Sequence, residues 1–277
     1  MCISQQQTKG VPSIHVGSGT YSTKRMIEFN SISKTFGGRQ VLLGVSGTFA
    51  PGSTSLVIGG SGTGKSVLLK CLIGLVKPDD GAVLYNGRDF WAGDDEIKKD
   101  IRREMGVLFQ GGALFDSKTV LENVRFPLDM LTDMPEADKL ARAHECLLRV
   151  GLEQAANRMP SEVSGGMKKR VGIARAIVMN PKYLFCDEPN SGLDPLTSIK
   201  IDELIKEITA EYQITTVVIT HDMNSVLEMG DKIMFLYQGR KLWEGTSTSI
   251  TQSSVAELNE FIFANKLLRD MRVLPSA

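Results

Sequence analysis

The stretch Gly59-Gly60-Ser61-Gly62-Thr63-Gly64-Lys65-Ser66 decides the fold of this chain. It fits the pattern G-x-x-x-x-G-K-[ST], and it stands in the required context, after the strand-like run 55–58 and before a helical segment that extends to about residue 76. Its glycines let backbone N–H groups converge on phosphate oxygens, and the start of the helix adds partial positive charge. Lys65 is predicted to reach the β- and γ-phosphates, and the Ser66 hydroxyl to bind Mg²⁺. The sequence therefore predicts nucleotide binding at residues 59–66.

Strand and helix patterns alternate on both sides of this loop. Strand-like runs at 183–186, 214–220 and 233–237 alternate with helical patterns at 168–179 and from about 198 to 212. This alternation argues for an α/β fold with a mostly parallel sheet and helices on both faces. Turn signals and helical periodicity predict further elements: β-rich segments at 26–36 and 41–49 on either side of Gly37-Gly38, and a strand at 82–85. They also predict a helix at 136–150 within a helical insertion at about 112–165.

Composition limits the classes of function. Lys+Arg and Asp+Glu number 32 each in 277 residues, so the formal net charge is zero, which argues against nonspecific nucleic-acid binding. Four scattered cysteines lack metal-ligand spacing, so a metal cluster or disulfide framework is not expected.

No run approaches a membrane span of about 20 apolar residues, and no signal peptide is evident. We expect a cytoplasmic protein that reaches a membrane only through partners, with residues 1–24 as a mobile tail.

Two acids follow the apolar run 183–186. Asp187, at the carboxyl end of a strand beside a phosphate loop, is predicted to hold the Mg²⁺ shell. Glu188 then lies where it could polarise an attacking water. The alternative is a pair of solvated acids at a strand end, which the phosphate loop makes less favoured.

A second candidate anion site is the helix start Ser164-Gly165-Gly166-Met167. Free N–H groups and the helix dipole favour an anion there, although Ser is also simply a good N-cap. The order of the motifs along the chain favours the anion site. Asp187 and Glu188 follow about twenty residues later, and Ser191-Gly192-Leu193-Asp194 comes next.

With these motifs in order, residues 26–245 resemble the ATP-binding cassette (ABC) ATPases. The resemblance implies a RecA-like P-loop NTPase core with an N-terminal antiparallel β subdomain and an inserted helical subdomain. It also implies an ATPase domain at 25–245 and a C-terminal extension at 246–277. Roles follow residue by residue: Phe36 stacks on adenine, Gln110 senses Mg²⁺ and faces the transmembrane partner, Glu188 is the catalytic base, Asp194 lies in the D-loop and His221 contacts the γ-phosphate.

In this family two chains clamp two ATP molecules head to tail, and the signature at 164–167 completes the nucleotide site of the opposite chain. The resemblance thus implies a homodimer joined to transmembrane permease subunits on the cytoplasmic side of the inner membrane. It places ATP and Mg²⁺ at the site.

Met167, where most cassettes have Gln, and the stretches 109–117 and 122–128 resemble the ATPases of Mce-associated, Mla-type lipid transporters. That subgroup implies phospholipid trafficking and an Mce-domain partner. Two alternatives stay open: a regulatory cassette of the cell-division type and an importer subunit for another solute. A DNA-repair or translational cassette is less favoured, because the gap from Ser66 to Ser164 holds no long coiled-coil insertion, and so is a P-loop kinase.

The residues beyond 245 end in an amphipathic pattern at 255–272, in which Val255, Leu258, Phe261, Ile262 and Leu268 share a face. Two interpretations stay open. This helix packs back onto its own domain, or it reaches the other ATPase subunit or an accessory protein.

Overall fold

The computed structural model describes residues 25–264. The predicted mobile tail 1–24 and the part of the predicted C-terminal helix from residue 265 onward lie outside the described residues. Within 25–264 the strands are β1 Ile27–Phe36, β2 Arg39–Phe49, β3 Thr54–Ile58, β4 Asp80–Tyr85, β5 Arg88–Asp89, β6 Met105–Leu108, β7 Tyr183–Asp187, β8 Thr215–Ile219, β9 Lys232–Tyr237 and β10 Arg240–Gly245. The α-helices of the same residues are α1 Lys65–Leu72, α2 Asp95–Arg103, α3 Val120–Leu131, α4 Glu136–Arg149, α5 Gly165–Ile177, α6 Pro195–Tyr212, α7 Met223–Met229, α8 Ser247–Ile250 and α9 Ala256–Ile262.

Two sheets organise the described chain. An antiparallel sheet has the order β2-β1-β4-β5. A second sheet has the order β10-β9-β3-β8-β7-β6, parallel from β9 to β6 and closed at one edge by the antiparallel strand β10. The predicted α/β class, with a RecA-like core and an N-terminal antiparallel β subdomain, is confirmed.

The parallel sheet is buried on both faces, because successive side chains of a strand point to opposite sides. In β7, Leu184 and Cys186 join a core with the helices α3 to α6. Tyr183 and Phe185 join the other core, which α1 and the antiparallel sheet cover. Near-continuous apolar strands such as β3 and β8 follow from this double burial.

The helical insertion consists of α3 and α4, followed by 3₁₀ turns at Glu153–Ala155 and Pro160–Glu162. Thr119 and Glu122 form a capping box at the start of α3. The buried Asn123 accepts from the Phe115 N–H at 2.8 Å and donates to the Phe115 carbonyl at 3.1 Å, which orders the loop before the helix.

Several predicted boundaries were wrong for local reasons. Helix α1 ends at Leu72 rather than near residue 76, since Gly74 takes a φ of +79°. Helix α5 begins at Gly165 rather than 168, because the Ser164 hydroxyl accepts from the Met167 N–H at 3.3 Å. Helix α6 begins at Pro195 rather than about 198, with Asp194 as its N-cap. The elements β5, α2, β6, α7, β10 and α8 were not predicted.

The predicted C-terminal helix starts at Ala256 but ends at Ile262. Leu258 and Ile262 are buried in the core of the domain, and the Phe261 ring packs 5.5 Å from that of Phe235. The described part of this segment therefore packs back onto its own domain. Residues 25–264 contain no helix with both the length and the apolar character that a bilayer span requires.

Candidate active site

The sheet order brings four predicted motifs to one edge. The neighbouring parallel strands β3, β8, β7 and β6 lead into residues 59–66, His221, the pair Asp187–Glu188 and Gln110, respectively. Because the carboxyl ends of parallel strands share an edge, motifs far apart in sequence become neighbours. A cleft of this kind is where open α/β sheets bind ligands.

The phosphate loop needs glycine at two positions. Gly59 has a φ of +150°, and a Cβ there would lie 2.3 Å from the Leu236 carbonyl oxygen. Gly64 has a φ of +104°, and a Cβ there would lie 2.9 Å from the Val41 carbonyl oxygen. The loop thus packs closely against the backbones of β9 and β2, and it ends at the start of α1.

Lys65 lies inside the loop, with 8% of its surface exposed. Its ammonium donates to the carbonyls of Gly59 at 2.7 Å and Gly60 at 2.8 Å. Burial lowers the pKa of Lys65, and the charges of Glu188 and Asp187 act in the opposite direction. A cation placed this way can neutralise phosphate charge at little reorganisation cost.

Asp187 fits the role of a Mg²⁺ ligand. Its Oδ1 is buried without a hydrogen-bond partner among residues 25–264, and a buried polar atom of this kind points to an ion or a water as its partner. Burial, and then the charge of Glu188, raise the pKa of Asp187, while Lys70, the Ser66 hydroxyl and Lys65 lower it. Oxygen ligands from one carboxylate and a hydroxyl are typical of Mg²⁺ beside phosphate. Within 25–264 no cluster of three or more His, Cys, Asp or Glu forms another candidate metal site.

Glu188 and His221 contact each other. The His221 Nδ1 lies 2.8 Å from Glu188 Oε2, with 14% of the Glu188 side chain and 65% of the His221 side chain exposed. Glu188 adopts a φ of +50°, and its N–H donates to the Ile219 carbonyl at 2.9 Å. His221 is held at the tip of β8 because Asp222 caps α7 through the Asn224 N–H. A carboxylate paired with an imidazole at this edge can orient a water molecule.

Gln110 is exposed at the end of β6, and its amide donates to the Ser191 hydroxyl at 3.3 Å. Lys169 of α5 donates to the carbonyl of Gln110 and, at 3.1 Å, to that of Glu188. Sequence analysis did not single out Lys169. The signal was present, because Lys169 shares the apolar face of α5 with Ile173 and Ala176.

The signature is not part of this cluster. Gly165 and Gly166 face Leu193 and Thr197, at 3.6 Å and 2.6 Å from the Cβ position that each glycine lacks. Asp194 caps α6, accepting from the Thr197 N–H at 3.0 Å and its hydroxyl at 2.6 Å. The signature and D-loop therefore lie together at the start of α6, and the phosphate loop lies between β3 and α1.

A cavity of about 570 Å³ borders the phosphate loop. Its lining includes Ser61, Gly62 and Thr63 of the loop and Phe36, which is 47% exposed. The volume falls in the range of about 300–1,000 Å³ of small-ligand sites. Arg39, the first residue of β2, and Gln238, in the turn between β9 and β10, also line this cavity. Sequence analysis missed both because neither belongs to a motif.

The chain is similar in sequence to known proteins. The profile of the family described as ABC transporter matches residues 42–191. The probable ribonucleotide transport ATP-binding protein mkl of Mycobacterium tuberculosis is 36% identical over 241 residues, covering 87% of this chain and 67% of that protein. The methionine import ATP-binding protein MetN of Caulobacter vibrioides is 44% identical over 222 residues, covering 79% of this chain and 67% of that protein.

Solved structures are similar as well. The dimeric ATP-binding cassette MJ0796, in a post-hydrolysis state bound to ADP and Pi, matches with a TM-score of 0.72 and 34% identity. The match covers 80% of this chain and 98% of that one.

Proposed function

The chain belongs to the ABC transporter family as an ATP-binding subunit that hydrolyses ATP, and from this premise we propose that Lys65, Asp187, Glu188 and His221 form its hydrolytic site. The observation that carries the proposal is the pairing of Glu188 with His221 at 2.8 Å, at the sheet edge that also holds the phosphate loop.

The reaction is in-line attack of water on the γ-phosphate of ATP. Glu188 orients the water and takes its proton, since its carboxylate is held at the carboxyl edge of the sheet. Lys65 and His221 stabilise the charge that develops on the phosphoryl oxygens. Ser66, Asp187 and Gln110 would hold Mg²⁺, which neutralises phosphate charge when bound.

The nucleobase and sugar are assigned to the cavity beside the loop. Phe36 offers an exposed ring for stacking on adenine, and the Lys34 ammonium lies 5.4 Å from the centre of that ring. Aromatic stacking and a nearby cation suit a purine.

A second copy of the chain would complete each site. Gly165 and Gly166, which follow Ser164 at the helix start, pack beside Leu193 and Thr197 rather than against their own phosphate loop. A head-to-tail homodimer would place this helix start, with its free N–H groups, on the nucleotide of the partner. Asp194 would then lie at the interface. The dimeric structure of the similar cassette MJ0796 supports the proposal of a dimer.

The change Glu188→Gln tests the hydrolytic site and the dimer together. Hydrolysis should fall by about 10²–10⁴-fold, because the amide cannot accept the proton of water. ATP binding should persist, so the variant should accumulate as an ATP-bound dimer by size-exclusion chromatography with its transmembrane partner present.

The change Glu203→Gln, at an exposed carboxylate of α6, serves as the control and should leave both readouts unchanged. A Glu188→Gln variant that hydrolyses ATP at the wild-type rate would refute the assignment of the base. One that stays monomeric with ATP and the partner would refute the dimer.

We further propose that transmembrane permease subunits dock beside Gln110, at the cytoplasmic face of the inner membrane. A groove of about 350 Å³ supports this, with Phe109, Phe115, Phe126 and Leu131 along it and Arg102 at its rim. Phe115 and Leu131 are 40% and 49% exposed. Closure on ATP would reach the permease through this groove.

For the cargo we propose phospholipid, with an Mce-domain protein as a further partner. Met167 and the stretches 109–117 and 122–128 support this class. The names of mkl and MetN support ribonucleotide or methionine transport instead. Purification from the native membrane followed by mass spectrometry separates these cases, because a permease with an Mce-domain protein and bound phospholipid is expected only for lipid trafficking.

A further inference from the structure

The ammonium of Lys169 lies where three motifs meet. Lys169 is one turn into α5 from the signature, and only 5% of its surface is exposed. It donates to the carbonyl of Gln110 and, at 3.1 Å, to the carbonyl of Glu188. A single side chain therefore joins the signature helix, the loop after β6 and the backbone of the proposed base.

Burial of this charge is costly, and its surroundings offset only part of the cost. Desolvation lowers the pKa of Lys169, while the charges of Asp187 and Glu188 raise it. A buried lysine needs charged or dipolar partners of this kind. Here the hydrogen-bond partners are two backbone carbonyls rather than a carboxylate, so the bonds constrain backbone geometry.

The backbone of Glu188 needs such a constraint. Its φ of +50° is a left-handed conformation that non-glycine residues adopt only when the surroundings impose it. The Ile219 carbonyl accepts its N–H at 2.9 Å, and Lys169 donates to its carbonyl. These two bonds hold opposite ends of the residue, and they set the direction in which the carboxylate leaves the backbone toward His221.

The loop after β6 is held by the same helix. Gly112 and Ala113 have φ values of +74° and +45°, and Arg175 of α5 donates to their carbonyls at 2.6 and 2.7 Å. Lys169 holds the start of the same loop, because it donates to the carbonyl of Gln110. Movement of this loop would therefore reach Glu188 through Lys169.

We infer that Lys169 is a positioning residue, which holds the strained backbone of Glu188 and links its placement to the loop at Gln110. The inference rests on the proposed role of Glu188 as the base. Lys169 contacts neither nucleotide phosphates nor water in this role, so its loss impairs the hydrolytic step and leaves ATP binding intact.

The test uses the full-length chain with its membrane partner and ATP-Mg²⁺. In Lys169→Met, kcat should fall at least about tenfold, while KM and the Kd for ATP stay within about twofold of the wild-type values. Lys169→Arg, which keeps the donors, should recover most of the lost kcat. The matched control is Arg170→Met, which removes a neighbouring cation of α5 that donates to the Val150 carbonyl at 3.2 Å, away from the site.

A double-mutant cycle shows whether Lys169 acts through Glu188. The loss of kcat in Lys169→Met combined with Glu188→Gln should equal that of Glu188→Gln alone. Losses that multiply, or a wild-type kcat in Lys169→Met, would overturn the inference while leaving the role of Glu188 standing. A Glu188→Gln variant of full activity would instead overturn the proposed function.

Folding of each variant is checked by thermal unfolding and by ATP binding. If Lys169→Met does not fold, Lys169→Gln takes its place, since the amide retains one donor group without the charge. The same kcat, KM and cycle comparisons then decide the outcome.

Discussion

At the scale of single residues, Asp202 shows how burial governs an ionisable group behind the site. It is 5% exposed and accepts from the Asn190 amide at 2.7 Å, and the same amide donates to the Ser225 hydroxyl at 2.9 Å. Burial raises the pKa of Asp202, although hydrogen bonds from Ser225 and Asn190 oppose the shift. This triad links the segment after Glu188 to helices α6 and α7.

The raised pKa predicts how stability depends on pH. Folded Asp202 binds its proton more tightly than the unfolded chain does, so its contribution to stability is fully present below the unfolded pKa and is lost as pH rises through the folded pKa. Asp202→Asn does not titrate and keeps an acceptor for Asn190. The free energy of unfolding of Asp202→Asn, relative to wild type, should therefore be more favourable at about pH 7 than at about pH 4.

Urea unfolding at both pH values measures this difference. Asp202→Ala, which removes the acceptor as well as the charge, should be less stable than Asp202→Asn at each pH. A difference between Asp202→Asn and wild type that does not change with pH, or changes with the opposite sign, would contradict the prediction.

At the scale of elements, the contact of β6 with α5 positions the loop at Gln110. A Cβ at Gly106 in β6 would lie 2.2 Å from the Ala176 carbonyl oxygen, and one at Gly172 in α5 would lie 2.6 Å from Leu108 Cδ1. The strand and helix approach closely because these positions lack side chains. Lys169 and Arg175 extend from the same helix to the loop.

Gly106→Ala should separate this pair of elements. Its Cβ would meet backbone, which cannot move as a side-chain tip can, so we expect a loss of about 1–3 kcal/mol in the free energy of unfolding. Gly111→Ala is the matched control, because a Cβ there meets nothing within 4 Å. Chemical denaturation compares the two, and equal stabilities would show that the contact tolerates a methyl group.

At the scale of the whole molecule, the described end of the chain belongs to the main core. Leu258 is fully buried and Ile262 is 1% exposed, in the cluster that also contains β3, α5 and α6 residues. The chain beyond β10 is thus part of the folded unit as far as Ile262.

Leu258→Ala should lower the free energy of unfolding by about 2–5 kcal/mol, since it leaves a cavity in this core. Leu242→Ala in β10, where the side chain is 40% exposed, should cost much less. Urea unfolding measures both changes in the free energy of unfolding. A loss for Leu258→Ala as small as that for Leu242→Ala would show that α9 lies outside the cooperative core.

The sequence by itself determined the phosphate loop, the paired acids and the alternation of strands and helices. These are local signals. The phosphate loop is a motif of eight consecutive residues, Gly59 to Ser66. The strand before Asp187 is a continuous apolar run that can be recognised without knowing its neighbours. The resemblance to ABC ATPases added His221, Gln110 and Phe36 as candidates, and the structure gathers the first two around Glu188 and sets Phe36 in the cavity wall.

Only the tertiary structure decided which of these groups meet. The order β3-β8-β7-β6 depends on pairing between segments that are distant in sequence, such as Thr54 with Thr216 and Met105 with Tyr183, and no local pattern encodes it. The same holds for Lys169, a cation on an apolar helix face whose partners are backbone carbonyls of Gln110 and Glu188. The described part of the C-terminal segment is a further case, because periodicity shows which face of a helix can be buried, whereas the tertiary structure shows that Leu258 and Ile262 pack into the main core.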